Sequence, residues 1–130
     1  MKLGQLDHVN VRTNKLDAMV SWYTNILGMR SGDRPNFPFP GAWMYTGDHP
    51  AVHLVGTSED AGAGSEGNLK LEHFAFAATG LKEFEQRLVE AGEHYKVRQV
   101  PGIDVTQINL WDPDGNHIHI DFRSSEVAQA

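Results

Sequence analysis

Ionisable side chains stand at alternate positions of a short apolar stretch near the end of the sequence. The stretch "HIHIDF" covers residues 117–122 and directly follows the turn signal "DPDGN". Because alternate side chains of a strand point to opposite faces, we expect His117, His119 and Asp121 to share one face. Imidazole and carboxylate groups are common ligands of divalent metals. The spacing therefore indicates a strand that holds a metal or lines a ligand cavity.

The composition restricts which residues could hold such a metal. The sequence has 130 residues, seven histidines and no cysteine. Disulfide scaffolds, thiolate metal sites and cysteine nucleophiles are therefore excluded, and the ligands would have to be His, Asp or Glu. A chain of this length suits one domain.

The charge and the hydropathy of the chain restrict its partners and its location. The formal net charge is −6, which argues against nucleic acid or an anionic membrane as a partner, since both favour basic patches. The N-terminus "MKLGQLDHVNV" lacks the long apolar stretch of a signal peptide. No segment approaches the ~20 apolar residues of a membrane span, so we expect a cytoplasmic protein.

The first half of the sequence predicts a strand, a helix and further short strands. "LDHVNV" (6–11) predicts the first strand, and "AWMYTG" and "PAVHLVG" predict two more around the turn "GDHP". Between them, "RPNFPFPGAW" is too rich in proline for a central strand and predicts a loop or an edge. Asn14 is the expected helix cap. The helix itself is predicted by apolar residues at helical spacing, namely Leu16, Met19, Val20, Tyr23, Ile26 and Leu27.

The second half repeats this order after a glycine-rich segment, residues 56–68, which predicts a linker. "LEHFAFAA" resembles "LDHVNVRT" at an offset of 65 residues, and "NLWDPDGNHIHID" aligns with "WMYTGDHPAVHLV" at an offset of 66. A second amphipathic helix lies between them, with Thr79 as its expected cap and Gly92 at its end. We therefore expect a single domain, 1–130, built of two repeats that cover about 5–56 and 69–123.

Each repeat carries one histidine on its first strand and one on its last strand. The separation is 45 residues in the first repeat and 46 in the second. With so few histidines in the chain, four coincidences at equivalent positions are improbable, which favours a shared chemical role. The four residues are His8, His53, His73 and His119.

The repeated module and four of its segments resemble the vicinal oxygen chelate superfamily of glyoxalases, bleomycin resistance proteins and extradiol dioxygenases. The segments are "LDHVNV", "WYTNILGM", "HFAF" and "DPDGNHIHI", and the resemblance runs from about residue 5 to residue 123. It implies an α+β fold in which two βαβββ modules form a curved, partly open mixed sheet barrel around a divalent metal. Chains of this size in the family usually form a homodimer, with the site within one chain or across two.

The resemblance also implies a ligand set, because the family places metal ligands on the first and last strands of each module. Here those positions are His8, His53, His73 and His119. Metal-dependent relatives usually have Glu at the last position, so His119 departs from the pattern. Neutral imidazoles suit Fe, Zn, Ni, Co or Mn, and they would leave the full 2+ charge to polarise a substrate oxygen.

The remaining site residues are expected to line the cavity. His117 and Asp121 share the face of His119 and could orient ligating histidines. By the same alternation, Asp7 and Glu72 are expected to point away from the metal and to serve the structure. His49 is expected to be solvated in its turn. The further pocket residues are Asn10, Arg12, Phe37, Phe39, Trp43 and Tyr45.

Three functions fit this pattern. The first is a metal-dependent enzyme of the glyoxalase/dioxygenase type, whose small organic substrate chelates the metal through vicinal oxygens. The second is a non-catalytic, drug-binding protein of the bleomycin-resistance type, and the third is a closed structural metal module. The absence of a Glu ligand argues against glyoxalase-type isomerases, in which a metal-bound carboxylate doubles as the base, and it also departs from the two-His-one-carboxylate iron site.

Overall fold

The structure is a computed structural model, and it describes residues 1–2, 4–58 and 71–128. The chain divides into two compact units, Met1–Gly64 and Ser65–Ala130. Of the predicted linker, Gly56 belongs to the last strand of the first unit, and residues 59–68 lie outside the described residues.

The first unit is a four-stranded mixed sheet with one helix. The strand order is β1-β4-β3-β2, with β1 parallel to β4 and the other neighbours antiparallel. The proline-rich stretch at 33–40 forms neither helix nor strand, as its composition predicted. The elements are β1 (Val9–Thr13), α1 (Leu16–Asn25), β2 (Arg30–Gly32), β3 (Gly41–Thr46) and β4 (His49–Gly56).

The second unit repeats this topology and adds a short helix that the sequence did not predict. Its strand order is β5-β8-β7-β6, again with the first and last strands parallel. The α+β class and the two βαβββ modules are therefore confirmed, and each sheet is unclosed. The elements are β5 (Phe74–Ala77), α2 (Leu81–Ala91), β6 (Tyr95–Gln99), β7 (Thr106–Trp111), β8 (His117–Phe122) and α3 (Ser124–Ala128).

The apolar face of β8 belongs to the core of the second unit. Ile118, Ile120 and Phe122 are at most 6% exposed, and the ring of Phe122 lies 6.3 Å from that of Phe84 on α2. Because α2 covers this face, the histidines at alternate positions of β8 are directed to the opposite face of the sheet. The predicted alternation is confirmed.

Both predicted helix caps are wrong, and in each case another group takes the place of the expected side chain. In α1 the cap position is Lys15, whose N–H donates to Thr13 Oγ1 at 2.9 Å. In α2 the cap is Gly80, whose N–H donates to Glu126 Oε1 at 2.8 Å. The predicted end of α2 at Gly92 is confirmed, with φ +69°.

The "DPDGN" turn is organised by one buried carboxylate. Asp112 is 5% exposed, and its Oδ1 accepts the N–H groups of Asp114 and Asn116 at 3.0 and 2.9 Å. Its Oδ2 accepts a bond from Asn116 Nδ2 at 2.8 Å. Gly115 supplies the positive φ, +83°, that the turn requires. The turn ends directly at His117 and thereby fixes the start of β8.

None of the helices in the part of the chain that the structure describes is both long and apolar enough to cross a bilayer.

Candidate metal centre

Three histidines converge at the start of β8 in the second unit. His73, His117 and His119 each offer a ring nitrogen, and the three nitrogens lie within 4.8 Å of one another. No other group of three potential ligands occurs in residues 1–2, 4–58 and 71–128. Three imidazoles form a donor set that zinc, iron, nickel, cobalt and copper accept. The residues present therefore fit a divalent metal.

The strand pairing explains this convergence. His117 and His119 lie on one face of β8, two residues apart. His73 immediately precedes β5, which runs parallel to β8 with Phe74 opposite Ile118. The rings of His73 and His119 consequently stack, with centroids 3.9 Å apart, and those of His117 and His119 meet edge to face at 4.7 Å.

A carboxylate that was expected to point away joins this cluster. Glu72 Oε2 accepts a hydrogen bond from His73 Nδ1, and its Oε1 accepts one from His117 Nδ1 at 2.9 Å. These bonds, first from His73 and then from His117, hold the pKa of the Glu72 carboxyl below its ordinary value. The prediction that Glu72 faces away from the histidines is therefore wrong.

His117 has partners at both ring nitrogens. Its Nε2 lies 3.0 Å from Asn109 Oδ1 on β7, while its Nδ1 donates to Glu72. The indole of Trp111 stacks on the same ring at 5.2 Å, and His94 stacks on Trp111 at 5.4 Å. His117 would therefore have to give up one of these two partners to bind a metal. His73 would not, because its carboxylate partner binds Nδ1 and a metal would bind Nε2.

Burial favours the metal-binding form of His119. The residue is 8% exposed, and its pKa lies below the ordinary value, first because of burial and then because of the neighbouring His73 and His117. Neutral imidazole is the form that binds metals. Asp121 lies farther along the same face, opposite Ala77, and its buried Oδ1 has no hydrogen-bond partner among the described residues.

The first unit contains an equivalent pair with an aromatic neighbour. The rings of His8 and His53 stack at 3.9 Å, and the indole of Trp43 stacks on the other side of His53 at 4.0 Å. His53 Nε2 donates to the Pro50 carbonyl at 3.0 Å, which leaves Nδ1 as the nitrogen for a ligand. Burial, and then the charge of His8, lowers the pKa of His53.

Asp7, the acidic residue before His8, also faces histidines, so the prediction that it points away from the metal is wrong as well. Asp7 Oδ2 accepts a hydrogen bond from His8 Nδ1 at 2.7 Å, which lowers the pKa of the Asp7 carboxyl. His49, expected to be solvated, contacts the Asp7 backbone carbonyl through Nε2, which also lies 3.8 Å from Asp7 Oδ1. Each unit thus places one carboxylate against two histidines.

The aromatic residues predicted as pocket walls form two groups on the first unit. Phe37 and Phe39 stack at 5.0 Å, and Phe37 lies 6.4 Å from Trp43. The Arg34 guanidinium lies 5.1 and 5.2 Å from the two phenylalanine rings. Tyr45 instead donates its hydroxyl to the Asp33 carbonyl and has Arg30 over its ring at 4.9 Å.

The polar pocket residues of β1 lie beside this group. Asn10 stands opposite His53 and Arg12 opposite Val55, and both side chains are exposed. Within the first unit the structure brings His8 and His53 together, and within the second unit His73 and His119. The predicted four-ligand set, which combines the two pairs, stays a prediction.

Sequence reasoning missed three participants in the site: Glu72, Asp7 and Asn109. A signal for the two carboxylates was present, since each repeat has an acidic residue directly before its first histidine, at an offset of 65 residues. Asn109 aligns with Trp43 at an offset of 66, and each stands opposite the last histidine of its own sheet.

Comparison with solved structures shows the same fold over nearly the whole chain. A glyoxylase/bleomycin resistance protein/dioxygenase domain from Frankia sp. EAN1pec has a TM-score of 0.75 at 21% identity and covers 94% of this chain and 99% of its own. A genomically encoded fosfomycin resistance protein from Listeria monocytogenes has a TM-score of 0.70 at 14% identity, with coverages of 93% and 94%. A lactoylglutathione lyase from Agrobacterium tumefaciens has a TM-score of 0.69 at 15% identity, with coverages of 94% and 96%.

A family model identifies the superfamily of the chain, which structural likeness at such low sequence identity does not. Among curated proteins, none matches the sequence significantly. The model that describes the Glyoxalase/Bleomycin resistance protein/Dioxygenase superfamily, however, matches residues 5–120. With that match and the duplicated module, the chain belongs to the glyoxalase/bleomycin resistance protein/dioxygenase superfamily.

Proposed function

We propose that the protein is a divalent-metal-dependent enzyme of the glyoxalase/dioxygenase type. Its substrate is a small organic molecule that chelates the metal through two vicinal oxygens. The convergence of His73, His117 and His119 is the observation that carries the proposal. When bound, the metal supplies a Lewis acid that polarises a substrate oxygen.

The residues of the second unit supply and hold the ligands. His119 contributes a buried, neutral ring, and His73 contributes its Nε2, since its Nδ1 donates to Glu72. The third position belongs to His117 within the same unit or, by the repeat, to the His8–His53 pair. No carboxylate stands at the four repeat positions, so a general base would have to come from another group, in contrast to glyoxalase-type isomerases.

The aromatic group on the first unit supports an organic substrate with a flat, apolar part. The ring of Phe37 lies 5.0 Å from that of Phe39 and 6.4 Å from that of Trp43. Arg34 places a cation beside the two phenylalanine rings. Aromatic side chains with a few polar groups are typical of small-molecule sites. An anionic substrate group would suit the Arg34 guanidinium.

A non-catalytic, drug-binding protein of the bleomycin-resistance type is the second candidate. The same aromatic group favours it, because Phe37 and Phe39 remain 39% and 40% exposed and available to a ligand. For either function we propose a homodimer in the cytoplasm with a small molecule as its partner.

The test is elemental analysis of protein purified without a histidine tag and without chelators, beside five single variants. We expect near-stoichiometric metal in the unaltered protein and its loss in His73→Ala and His119→Ala. His117→Ala and His53→Ala decide which side chain completes the shell. His94→Ala is the control, since its ring stacks on Trp111 and is not one of the three clustered histidines.

The identity of the metal then directs the search for a reaction. Iron that reacts with dioxygen would favour ring-cleaving chemistry and a screen of catechols. Nickel, cobalt, manganese or zinc would favour isomerases, lyases and transferases. A protein that takes up no metal even after reconstitution would refute the proposed enzyme and favour the drug-binding alternative.

A further inference from the structure

Glu72 uses both carboxylate oxygens on the rings of the histidine cluster. Oε2 accepts from His73 Nδ1, and Oε1 accepts from His117 Nδ1 at 2.9 Å. The two rings belong to different segments, one before β5 and one at the start of β8. A single side chain thereby fixes the orientation of one ring relative to the other.

The first unit contains the same device at the equivalent position of the repeat. Asp7 Oδ2 accepts from His8 Nδ1 at 2.7 Å, and Asp7 Oδ1 lies 3.8 Å from Nε2 of His49, the first residue of β4. In both units, therefore, an acidic residue contacts Nδ1 of the histidine that follows it and approaches a histidine at the start of the last strand. The recurrence in two separate sheets argues against an accidental surface contact.

The protonation chemistry of these contacts has one consequence for ligation. An ionised carboxylate only accepts hydrogen bonds, so the bonded Nδ1 must carry the proton. In a neutral ring the lone pair then lies on Nε2, the nitrogen opposite the carboxylate. A free neutral imidazole side chain favours the other tautomer, with the proton on Nε2, so the carboxylate reverses the intrinsic preference.

Stability alone does not account for the two carboxylates. The side chain of Asp7 is 70% exposed and that of Glu72 is 64% exposed. Ion pairs and charged hydrogen bonds at such exposed positions contribute little to folding, because water competes for both partners. Their effect is therefore local, on the tautomer and the direction of the histidine rings.

We propose that Glu72 and Asp7 are positioning residues, which hold His73 and His8 with the proton on Nδ1 and present Nε2 as the metal ligand. Glu72 additionally ties His117 to His73 and sets the distance between two of the three clustered rings. The ligand part of this inference rests on the proposed metal-dependent function, whereas the tautomer part does not.

The first measurement is the tautomer of each ring in metal-free protein. Nitrogen-15 NMR of the histidine rings distinguishes a protonated Nδ1 from a protonated Nε2, at a pH about two units above the ordinary histidine pKa of ~6.5. In the unaltered protein His8 and His73 should carry the proton on Nδ1. Glu72→Ala should shift His73 toward the Nε2–H tautomer and leave His8 unchanged, and Asp7→Ala should do the reverse.

Each of these variants is the control for the other, and a conservative variant adds a third comparison. Glu72→Gln keeps an amide oxygen that accepts from Nδ1, so His73 should largely retain its tautomer. A purely structural role for Glu72 would leave the His73 tautomer unmoved in Glu72→Ala as well, and that result would overturn the proposal.

The second measurement is Zn²⁺ affinity, taken by competition with a chelating dye. Loss of a side chain that orients a ligating histidine typically weakens a metal site by about 10–100-fold, which we expect for Glu72→Ala. Glu72→Gln should recover part of that loss. Glu85→Gln, on the helix that covers the opposite face of β8, is the matched control and should leave the affinity unchanged.

The two measurements separate the failure of this inference from the failure of the proposed function. Tautomer shifts as expected in a protein that binds neither Zn²⁺ nor, after reconstitution, any other divalent metal would support the tautomer part of the inference and refute the metal-dependent function. Zn²⁺ binding that Glu72→Ala leaves unchanged would refute the positioning role in ligation, while the metal-dependent function stands.

Discussion

Replacing Asp112 should destabilise the second unit by a predictable amount. Its carboxylate is buried and accepts hydrogen bonds from the N–H groups of Asp114 and Asn116 and from Asn116 Nδ2. Hydrogen bonds to a charged acceptor contribute about 1.5–3 kcal/mol each, but the Asn116 amide and part of the turn regain water when the carboxylate is absent. We therefore expect Asp112→Ala to lower the free energy of unfolding by about 2–4 kcal/mol.

A graded variant makes this estimate sharper. Asp112→Asn keeps one oxygen for the two backbone donors but turns an NH₂ group toward Asn116 Nδ2, which is itself a donor. The loss should therefore be smaller, about 1–2 kcal/mol. Asp48→Ala, in the equivalent turn of the first unit, removes an exposed carboxylate and should change stability by less than about 0.5 kcal/mol.

Urea unfolding of the metal-free protein, followed by far-ultraviolet circular dichroism, measures these differences. The three variants should rank with Asp112→Ala least stable, then Asp112→Asn, then Asp48→Ala. A loss below about 1 kcal/mol for Asp112→Ala, or equal losses for Ala and Asn, would show that the carboxylate does not organise the turn as described.

Three further predictions concern pH, backbone conformation and metal. Burial lowers the pKa of His53 and of His119 in the folded protein. As the pH falls, the unfolded chain therefore binds protons at these rings before the folded protein does. The free energy of unfolding should consequently fall as the pH drops below ~6.5 and stay flat above it. Urea midpoints measured across that pH range test this dependence of stability on pH. The dependence should be weaker in a His53→Gln, His119→Gln double variant, and an unaltered dependence would show that these two histidines do not cause it. Gly92 ends α2 at φ +69°, so Gly92→Ala should cost about 1 kcal/mol by the same assay, and no measurable loss would be inconsistent with this conformation. Zn²⁺ at about 100 times its dissociation constant should stabilise the unaltered protein by ~2.7 kcal/mol, with a matching rise in melting temperature that a chelator reverses; His73→Ala should show no such rise.

The fold could be predicted from the sequence because the strand alternation and the internal repeat were both clear. The alternation in "HIHIDF" is confirmed in β8, and the duplicated order of segments is confirmed in two sheets of identical topology. The prolines at 35, 38 and 40 also marked correctly where no strand could form. These features depend on burial and on backbone hydrogen bonding, which local sequence patterns report directly.

The roles of Asp7 and Glu72 could not be predicted in the same way. The prediction that both side chains point away from the histidines assumed that strand alternation includes them. Both residues lie before their strands, however, which begin at Val9 and Phe74. Outside a strand the period of two does not apply, and neighbouring side chains can meet. The predicted cap of α1, Asn14, was wrong because the buried hydroxyl of Thr13 accepts the Lys15 N–H at the start of the helix instead.

The stacked tryptophans give each unit an optical signal of its own. Trp43 lies face to face with His53 at 4.0 Å, and Trp111 lies against His117 at 5.2 Å. A protonated imidazole quenches the emission of an indole in contact with it, and a change of ring orientation alters that quenching. Single-tryptophan variants that retain Trp43 or Trp111 would therefore report, by fluorescence alone, the state of one chosen histidine in one chosen half of the molecule.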